Sequence, residues 1–390
     1  MKLWLNPKKT TSYVVDPSNG CYLGMGDVAA PLALLQHCPV HTETAMHSLA
    51  GQAEILNLDT VWIKDESTRM GLGSFKALGG AYAVFNLAVE HLNALTGVAV
   101  NASDLTADES RQNLSELTVV CATAGNHGIS VSSAARILGM GCEVFISESV
   151  PSEFEHRLIA QNAKVTRVGA DYDQSFTAAK ALCSQTGHKL VSDTSWGSYT
   201  QIPLDIMRGY LVMADEAAMQ CQNDQGPPTH IFLQAAVGGL AGAVAAYFAD
   251  RYGNQSIKSI VVEPHGADCL LKSVQAGEPT LIKGDKTVMG RLDCVYPSLV
   301  GYEILKNTAH AFCSISDEQS FEAMRRAHAS GLNVGESGAA GFGALIAACE
   351  DETMRDQLGL DERSRVLLIA SEGPADLALF ETVTGEKLTA

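Results

Sequence analysis

A chain of 390 residues, 46% of them hydrophobic, holds enough apolar material for two or three domains and is far from a disordered composition. Its 27 basic and 44 acidic residues leave a net charge of −17, which repels phosphate backbones and anionic lipid and argues against nucleic-acid or membrane partners. The longest apolar stretches, such as Leu233–Ala249, are too short and too interrupted to span a bilayer, and Met1 to Thr10 do not read as a secretory signal. Ten scattered cysteines without zinc-site spacing point to reduced, mostly buried thiols in the cytoplasm.

Short β-branched runs recur, most of them followed by a helix-length segment rich in alanine and leucine. In chain order the expected strands are Val61–Lys64, Val119–Thr123, Glu143–Ile146, Val165–Val168, Leu190–Asp193, Ile231–Ala236, Ser259–Glu263, Ala311–Ile315 and Val366–Ala370. Several are apolar on consecutive residues, as strands buried on both faces require. This alternation predicts an α/β protein with mostly parallel sheets flanked by crossover helices. One sheet holding every strand would be wide, so two sheets are expected. A smaller domain over residues 85–197 is placed as an insertion into a larger one built from 1–84 and 198–390. The polar stretches Asn101–Ser115 and Gln222–Pro228 read as surface loops.

Three strand–loop–helix junctions carry candidate chemistry. In the first, a polar loop with glycines, Lys64 to Gly80, delivers Lys76 to the start of a helix. The positive end of the helix dipole would favour a neutral amine there, the form that Schiff-base chemistry needs. A solvated lysine without a partner would give the same local pattern. In the second, Cys121-Ala122-Thr123-Ala124-Gly125-Asn126-His127-Gly128, small residues expose backbone N–H groups that could bind a carboxylate, and Asn126 could donate to a phenolate oxygen. A tight turn with a left-handed asparagine is the alternative. In the third, Gln234 to Gly242, the backbone amides around Gly238 and Gly239 would cradle a phosphate at a helix N-terminus, although glycines at such turns also serve close packing. It is neither the G-x-G-x-x-G pattern of dinucleotide binders nor a P-loop.

Together these segments resemble the pyridoxal-phosphate-dependent threonine and serine dehydratase family, and within it most of all the diaminopropionate ammonia-lyases. The resemblance runs from about Val61 to Asp376. Besides the junctions it includes Asp193-Thr194-Ser195-Trp196, Met207-Arg208-Gly209-Tyr210, Val262-Glu263-Pro264, Gly335-Glu336-Ser337-Gly338-Ala339 and Ser371-Glu372-Gly373. It implies fold-type II, two mostly parallel α/β domains with pyridoxal 5′-phosphate in the cleft between them, and a homodimer.

The resemblance further implies that Lys76 anchors the cofactor and serves as the catalytic base. Asn126 would bond the ring oxygen. Ala236, Val237, Gly238, Gly239 and Leu240 would wrap the phosphate, and Ser371 would face the pyridine nitrogen. Thr123, Ala124, Gly125 and His127 would hold the carboxylate of a small amino-acid substrate. The implied reaction is β-elimination from 2,3-diaminopropionate to pyruvate and ammonia, with dehydration of serine, threonine or 3-hydroxyaspartate as the alternative. Asp193 would orient the β-amino leaving group, unless it merely caps a helix.

Three departures touch the implied pocket. The lyases carry an aspartate, associated with the D-isomer, where Ala124 stands, so an L-preference is expected. Arg291 and Asp293 replace a glycine and a small residue. Pro374 and Ala375 replace an aspartate and a threonine. Arg291 either pairs with Asp293, faces solvent, or points inward and binds a second anionic group such as that of 3-hydroxyaspartate or a sulfonate. Cys269 and Cys294 occupy regions where the lyases have paired-looking cysteines, and free thiols are expected. No metal-ligand cluster emerges from the eleven histidines, and Glu336 is expected to line the pocket.

Overall fold

The structure, a computed structural model of the chain, describes residues 1–13, 23–123 and 125–388. In chain order its strands are β1 (Lys2–Leu5), β2 (Met46–Ser48), β3 (Thr60–Asp65), β4 (Thr118–Ala122), β5 (Gly141–Ile146), β6 (Lys164–Arg167), β7 (Lys189–Leu190), β8 (His230–Gln234), β9 (Lys258–Pro264), β10 (Ala311–Ile315) and β11 (Arg365–Ala370). They form two sheets. One has the order β1-β10-β9-β8-β11-β3-β2, the other β6-β5-β4-β7. The five inner strands of the larger sheet run parallel, as does the whole smaller sheet. β8 and β10 are buried at every residue, which explains their consecutive apolar side chains.

The two strands that no sequence signal announces, β1 and β2, are the antiparallel edges of the larger sheet. Both are short and only partly buried, so their composition carries little pattern. The expected loop Asn101–Ser115 contains a helix, Asp108–Leu114, held down by buried Leu105 and Leu114. The expected loop Gln222–Pro228 begins later, because the helix Gln201–Asp224 runs into it.

The strands of the smaller sheet all lie between residues 118 and 190, and those of the larger sheet lie on both flanks. Residue 84, where a domain boundary was expected, falls inside the continuous helix Lys76–Thr96. That helix touches both halves of the molecule through adjacent glycines. A Cβ on Gly79 would lie 2.4 Å from Tyr210 Cε1 and 2.6 Å from the Ile206 carbonyl of the helix Gln201–Asp224. A Cβ on Gly80 would lie 2.3 Å from Ser130 Oγ of the helix Asn126–Leu138. Only hydrogen fits at either position, which is why two glycines follow Leu78 in a helix they otherwise weaken.

Candidate active site

Parallel strands bring their C-terminal ends to one side of a sheet, where open α/β folds bind ligands. The loops leaving β3, β4, β7, β8 and β11 carry Lys76, Thr123–His127, Asp193, Ala236–Leu240 and Ser371, the residues singled out in the sequence.

The loop 66–75 that delivers Lys76 is held by a buried charge network. Arg69 donates to Glu66 at 2.8 Å and to Glu216 at 2.6 Å, and Lys64 pairs with Glu216 at 2.8 Å. The side chains of Lys64, Glu66 and Arg69 are fully buried, so each charge depends on its partner. The same loop is stitched to the end of β11. Glu66 N–H donates to the Ala370 carbonyl, Phe75 N–H to the Ser371 carbonyl, and Gly373 N–H to the Gly73 carbonyl. Lys76 is thereby fixed as the first residue of its helix, next to Ser371.

Lys76 Nζ is ion-paired with Asp193, both side chains being only about a quarter or less exposed. Burial works against the ammonium, but Asp193, assisted by Tyr210, more than offsets it and holds Lys76 above the usual lysine range. Burial likewise works against the Asp193 carboxylate, and Lys76 followed by His127 holds it well below the usual range. This corrects the expectation of a neutral Lys76: in this structure the opposing carboxylate outweighs the helix terminus. It also removes the helix-cap reading of Asp193, since the next helix begins only at Gln201. The Asp193 segment is anchored by Ser195, whose N–H donates to Ser298 Oγ at 3.0 Å and whose Oγ accepts from Val300 N–H at 2.8 Å.

Beside this pair, Thr123 Oγ1 accepts from Gly125 N–H at 3.0 Å and Gly128 N–H at 3.2 Å, which shapes the loop and leaves the hydroxyl hydrogen free to donate. Gly125 has φ +149°, and a Cβ there would lie 2.6 Å from the Phe154 ring. His127 Nε2–H donates to the Val191 carbonyl at 2.9 Å, and burial keeps the ring's pKa below its ordinary value. Ala124 lies outside the described residues. Asn126 donates at 2.6 Å to Glu372, a carboxylate to which the sequence reading gave no role.

Arg291 does not pair with Asp293. Its Nε lies 3.9 Å from Glu372 Oε2, and its guanidinium stacks over Phe154 at 4.7 Å from the ring centroid. Burial pushes Glu372 up to about 7 despite Arg291, with Glu336 adding to the rise. Glu336 is itself buried and raised, chiefly by desolvation. Arg157 donates to the Leu72 carbonyl at 2.9 Å across the cleft, and with Glu372, Asn126, Ser67, Gly73 and Pro374 it lines a cavity of about 380 Å³. Glu372 entered the sequence analysis only as part of Ser371-Glu372-Gly373, without a role, and Phe154 and Arg157 escaped notice: a lone acid between serine and glycine and an amphipathic surface helix carry no spacing signal. Cys269 and Cys294 are both free.

The donor set fits a phosphorylated pyridine aldehyde. Gly238, at φ +100°, turns the chain into the helix Gly239–Tyr252, whose first-turn N–H groups have no intrahelical partner and suit a phosphate. The turn is tightly enclosed: a Cβ on Gly301 would stand 3.0 Å from the Val237 carbonyl, and one on Gly238 3.2 Å from Leu305. Ser371 Oγ accepts from Gln234 at 2.9 Å, so its own hydrogen is free for a ring nitrogen that needs a donor. Lys76 offers the amine.

The sequence matches the family described as pyridoxal-phosphate dependent enzyme over residues 38–372. The diaminopropionate ammonia-lyase of Escherichia coli (strain K12) is 34% identical over 353 residues, 88% of this chain and 87% of that one. The crystal structures of Escherichia coli diaminopropionate ammonia lyase in complex with D-serine, and with an aminoacrylate-PLP azomethine reaction intermediate, each superpose with a TM-score of 0.87 at 30% identity, covering 98% of this chain and 96% of the other. Alike in sequence along most of its length and in fold along nearly all of it, the chain belongs to the pyridoxal-phosphate-dependent enzymes of fold-type II, as a diaminopropionate ammonia-lyase-like member with pyridoxal 5′-phosphate as its cofactor.

Proposed function

We propose that the protein is an ammonia-lyase that eliminates the β-amino group of 2,3-diaminopropionate, L-isomer preferred. Overall the reaction consumes one water and releases pyruvate and two ammonia. The observation that carries this reading is the Lys76–Asp193 pair at the C-terminal mouth of both sheets. When bound, the cofactor supplies an electron sink for the charge left at the α-carbon once its proton is gone. Lys76 Nζ, once neutral, accepts that proton. Asp193 then lacks its cation, and the β-ammonium of a diamino substrate can take the vacated place, which orients the leaving nitrogen. In this reading Asn126 supports the ring oxygen, Ala236 to Leu240 hold the phosphate and Ser371 serves the pyridine nitrogen. The Thr123 hydroxyl and the N–H groups of Asn126 and His127 receive the α-carboxylate.

The L-preference belongs to the same proposal. One base reaches one face of a planar substrate, and the alanine at position 124 has no basic group with which to serve as a second. The alternative, a dehydratase of serine, threonine or 3-hydroxyaspartate, is favoured by one feature, the guanidinium of Arg291 beside the substrate loop. The division into a domain of residues 1–84 and 198–390 and an inserted domain of 85–197, a homodimeric assembly and a cytoplasmic location complete the reading. No helix among the described residues is long and apolar enough to cross a membrane.

The test is a panel of both isomers of 2,3-diaminopropionate, L-serine, L-threonine and 3-hydroxyaspartate, scored for 2-keto acid and ammonia release. The L-diamino acid should be fastest and its D-isomer at least about 10²-fold slower, the usual worth of a general base. Faster release from a hydroxy amino acid would replace the lyase by the dehydratase, and equal turnover of both isomers would place a second base in the cleft.

A further inference from the structure

Arg291 is a largely buried cation whose hydrogen-bonding fork is unused. Its side chain is 23% exposed, and its Nε is buried without a partner. Among the described residues the guanidinium has one ion-pair partner, Glu372, at 3.9 Å, beyond hydrogen-bond range. A guanidinium presents five N–H donors in a fixed plane, and buried donors are as a rule paired. The surroundings show where the missing acceptor belongs. The Phe154 ring under the guanidinium is the ring that presses on Gly125, at the centre of the turn that would receive the substrate carboxylate. Glu372, on the other side, bonds Asn126 of the same turn and lines the 380 Å³ cavity together with Arg157. The face of Phe154 fixes the guanidinium plane, so an incoming planar oxyanion meets a fork that is already oriented.

We propose that Arg291 is a recognition point for a carboxylate of the amino-acid substrate, supplementing the backbone donors of the Thr123–His127 turn. This deepens the proposed function and rests on its placement of substrate in the cleft. Two carboxylates could meet the fork: the α-carboxylate that every candidate substrate carries, or a second one on the side chain of a dicarboxylic amino acid.

Glu372 makes the site sensitive to pH. The charged groups facing it are Arg291, Glu336 from the loop before the helix Ala340–Glu350, and Arg157 from the helix Ser152–Ala160, with Asn126 and Ser337 as neutral donors. Because burial raises Glu372 to about 7, it is neutral below that pH, and Arg291 then keeps its full charge for a ligand. Above it, the Glu372 carboxylate compensates Arg291 and repels an anion. Carboxylate affinity should therefore fall as pH rises through about 7.

The experiment is calorimetric titration of the holoenzyme with propionate and with succinate at about pH 6 and about pH 8, on either side of the Glu372 transition. Neither ligand has an amine, so neither can displace Lys76 from the cofactor. Arg291→Ala should weaken binding by about 10- to 100-fold, the worth of a charge-assisted bidentate contact. Glu372→Gln should bring the affinity at the higher pH up to that at the lower. Equal losses of propionate and succinate in Arg291→Ala assign the fork to the α-carboxylate. A loss of succinate alone assigns it to a second carboxylate and makes dicarboxylic amino acids the substrates. Unchanged affinity in Arg291→Ala, or no binding of either ligand to the wild-type protein, overturns the proposal. Should Arg291→Ala fail to fold, Arg291→Lys, which keeps the charge and loses the planar fork, takes its place, and unchanged affinity in it overturns the proposal equally. Failure of the wild type to turn over 2,3-diaminopropionate would refute the lyase reading and leave the titration intact.

Discussion

Replacing Asp193 by asparagine should change the charge of Lys76 before it changes anything else. Asp193 is the carboxylate paired with the Lys76 ammonium. The other groups around the pair do not replace it: burial keeps His127 toward its neutral form, pushes the Cys294 thiol up to about 12 and raises the Tyr210 phenol. Two unit charges about 4 Å apart interact by about 4 kcal/mol at an effective dielectric constant of about 20. At about 1.4 kcal/mol per tenfold, removing one charge should raise the neutral fraction of Lys76 by about 10²- to 10³-fold at neutral pH. Covalent attachment of the cofactor needs the neutral amine. Cofactor-free Asp193→Asn protein should therefore attach pyridoxal 5′-phosphate at lower pH than the wild type, and at least about 10-fold faster near pH 7. Absorbance after mixing, with borohydride trapping of the adduct at Lys76, follows this step without turnover. The same variant should lose more activity on 2,3-diaminopropionate than on serine, because only the diamino acid needs a carboxylate for its β-ammonium. Superimposable pH profiles of attachment in variant and wild type would refute the claim that Asp193 sets the charge on Lys76.

Two further substitutions test how the site is built. Gly79→Ala places a methyl 2.4 Å from Tyr210 and 2.6 Å from the Ile206 carbonyl, so two helices must separate. The overpacking should cost about 1–3 kcal/mol in denaturant unfolding, and an unchanged midpoint would show that the interface yields freely. Arg69→Met leaves Glu66 buried without a cation and Glu216 with Lys64 alone. It should cost about 3–5 kcal/mol and loosen the loop that carries Lys76, whereas a loss below about 1 kcal/mol would mean that Lys64 and water take over.

The parts of the fold legible in the sequence are those where a single strand meets two buried faces. β8, β10 and β11 each hold a run of three or more consecutive apolar residues, and the glycine-bearing turns follow strand ends. What stayed hidden is of two kinds. Short, partly exposed elements such as β1, β2 and Asp108–Leu114 have too few buried positions to imprint a period. Partnerships between distant segments leave no local trace at all. The helix start at Lys76 suggested a neutral amine, yet a helix terminus is worth only about 0.3–1 kcal/mol. Asp193, 117 residues away in sequence, supplies several times that. Arg291 and Glu372 meet in the same way, which is why Asp293, the nearer acid in sequence, was a misleading candidate.

Under the proposed function the two pocket carboxyls would divide the labour of recognising a diamino acid. Environments that push two such groups apart assign them different roles. Asp193 faces Lys76, whose charge holds its carboxyl well below the usual carboxylate range, so it suits a cation: first the lysine, then the β-ammonium. Glu372 is stripped of water, stands beside Glu336 as well as Arg291, and changes charge near neutrality. It cannot act as a permanent anion, but it can yield Arg291 to an incoming carboxylate. On that reading a zwitterion with an amine at one end and a carboxylate at the other would find the opposite charge at each end of the cleft. An uncharged β-hydroxyl would leave Asp193 buried and uncompensated, a penalty of several kcal/mol that sets the diamino acid ahead of serine.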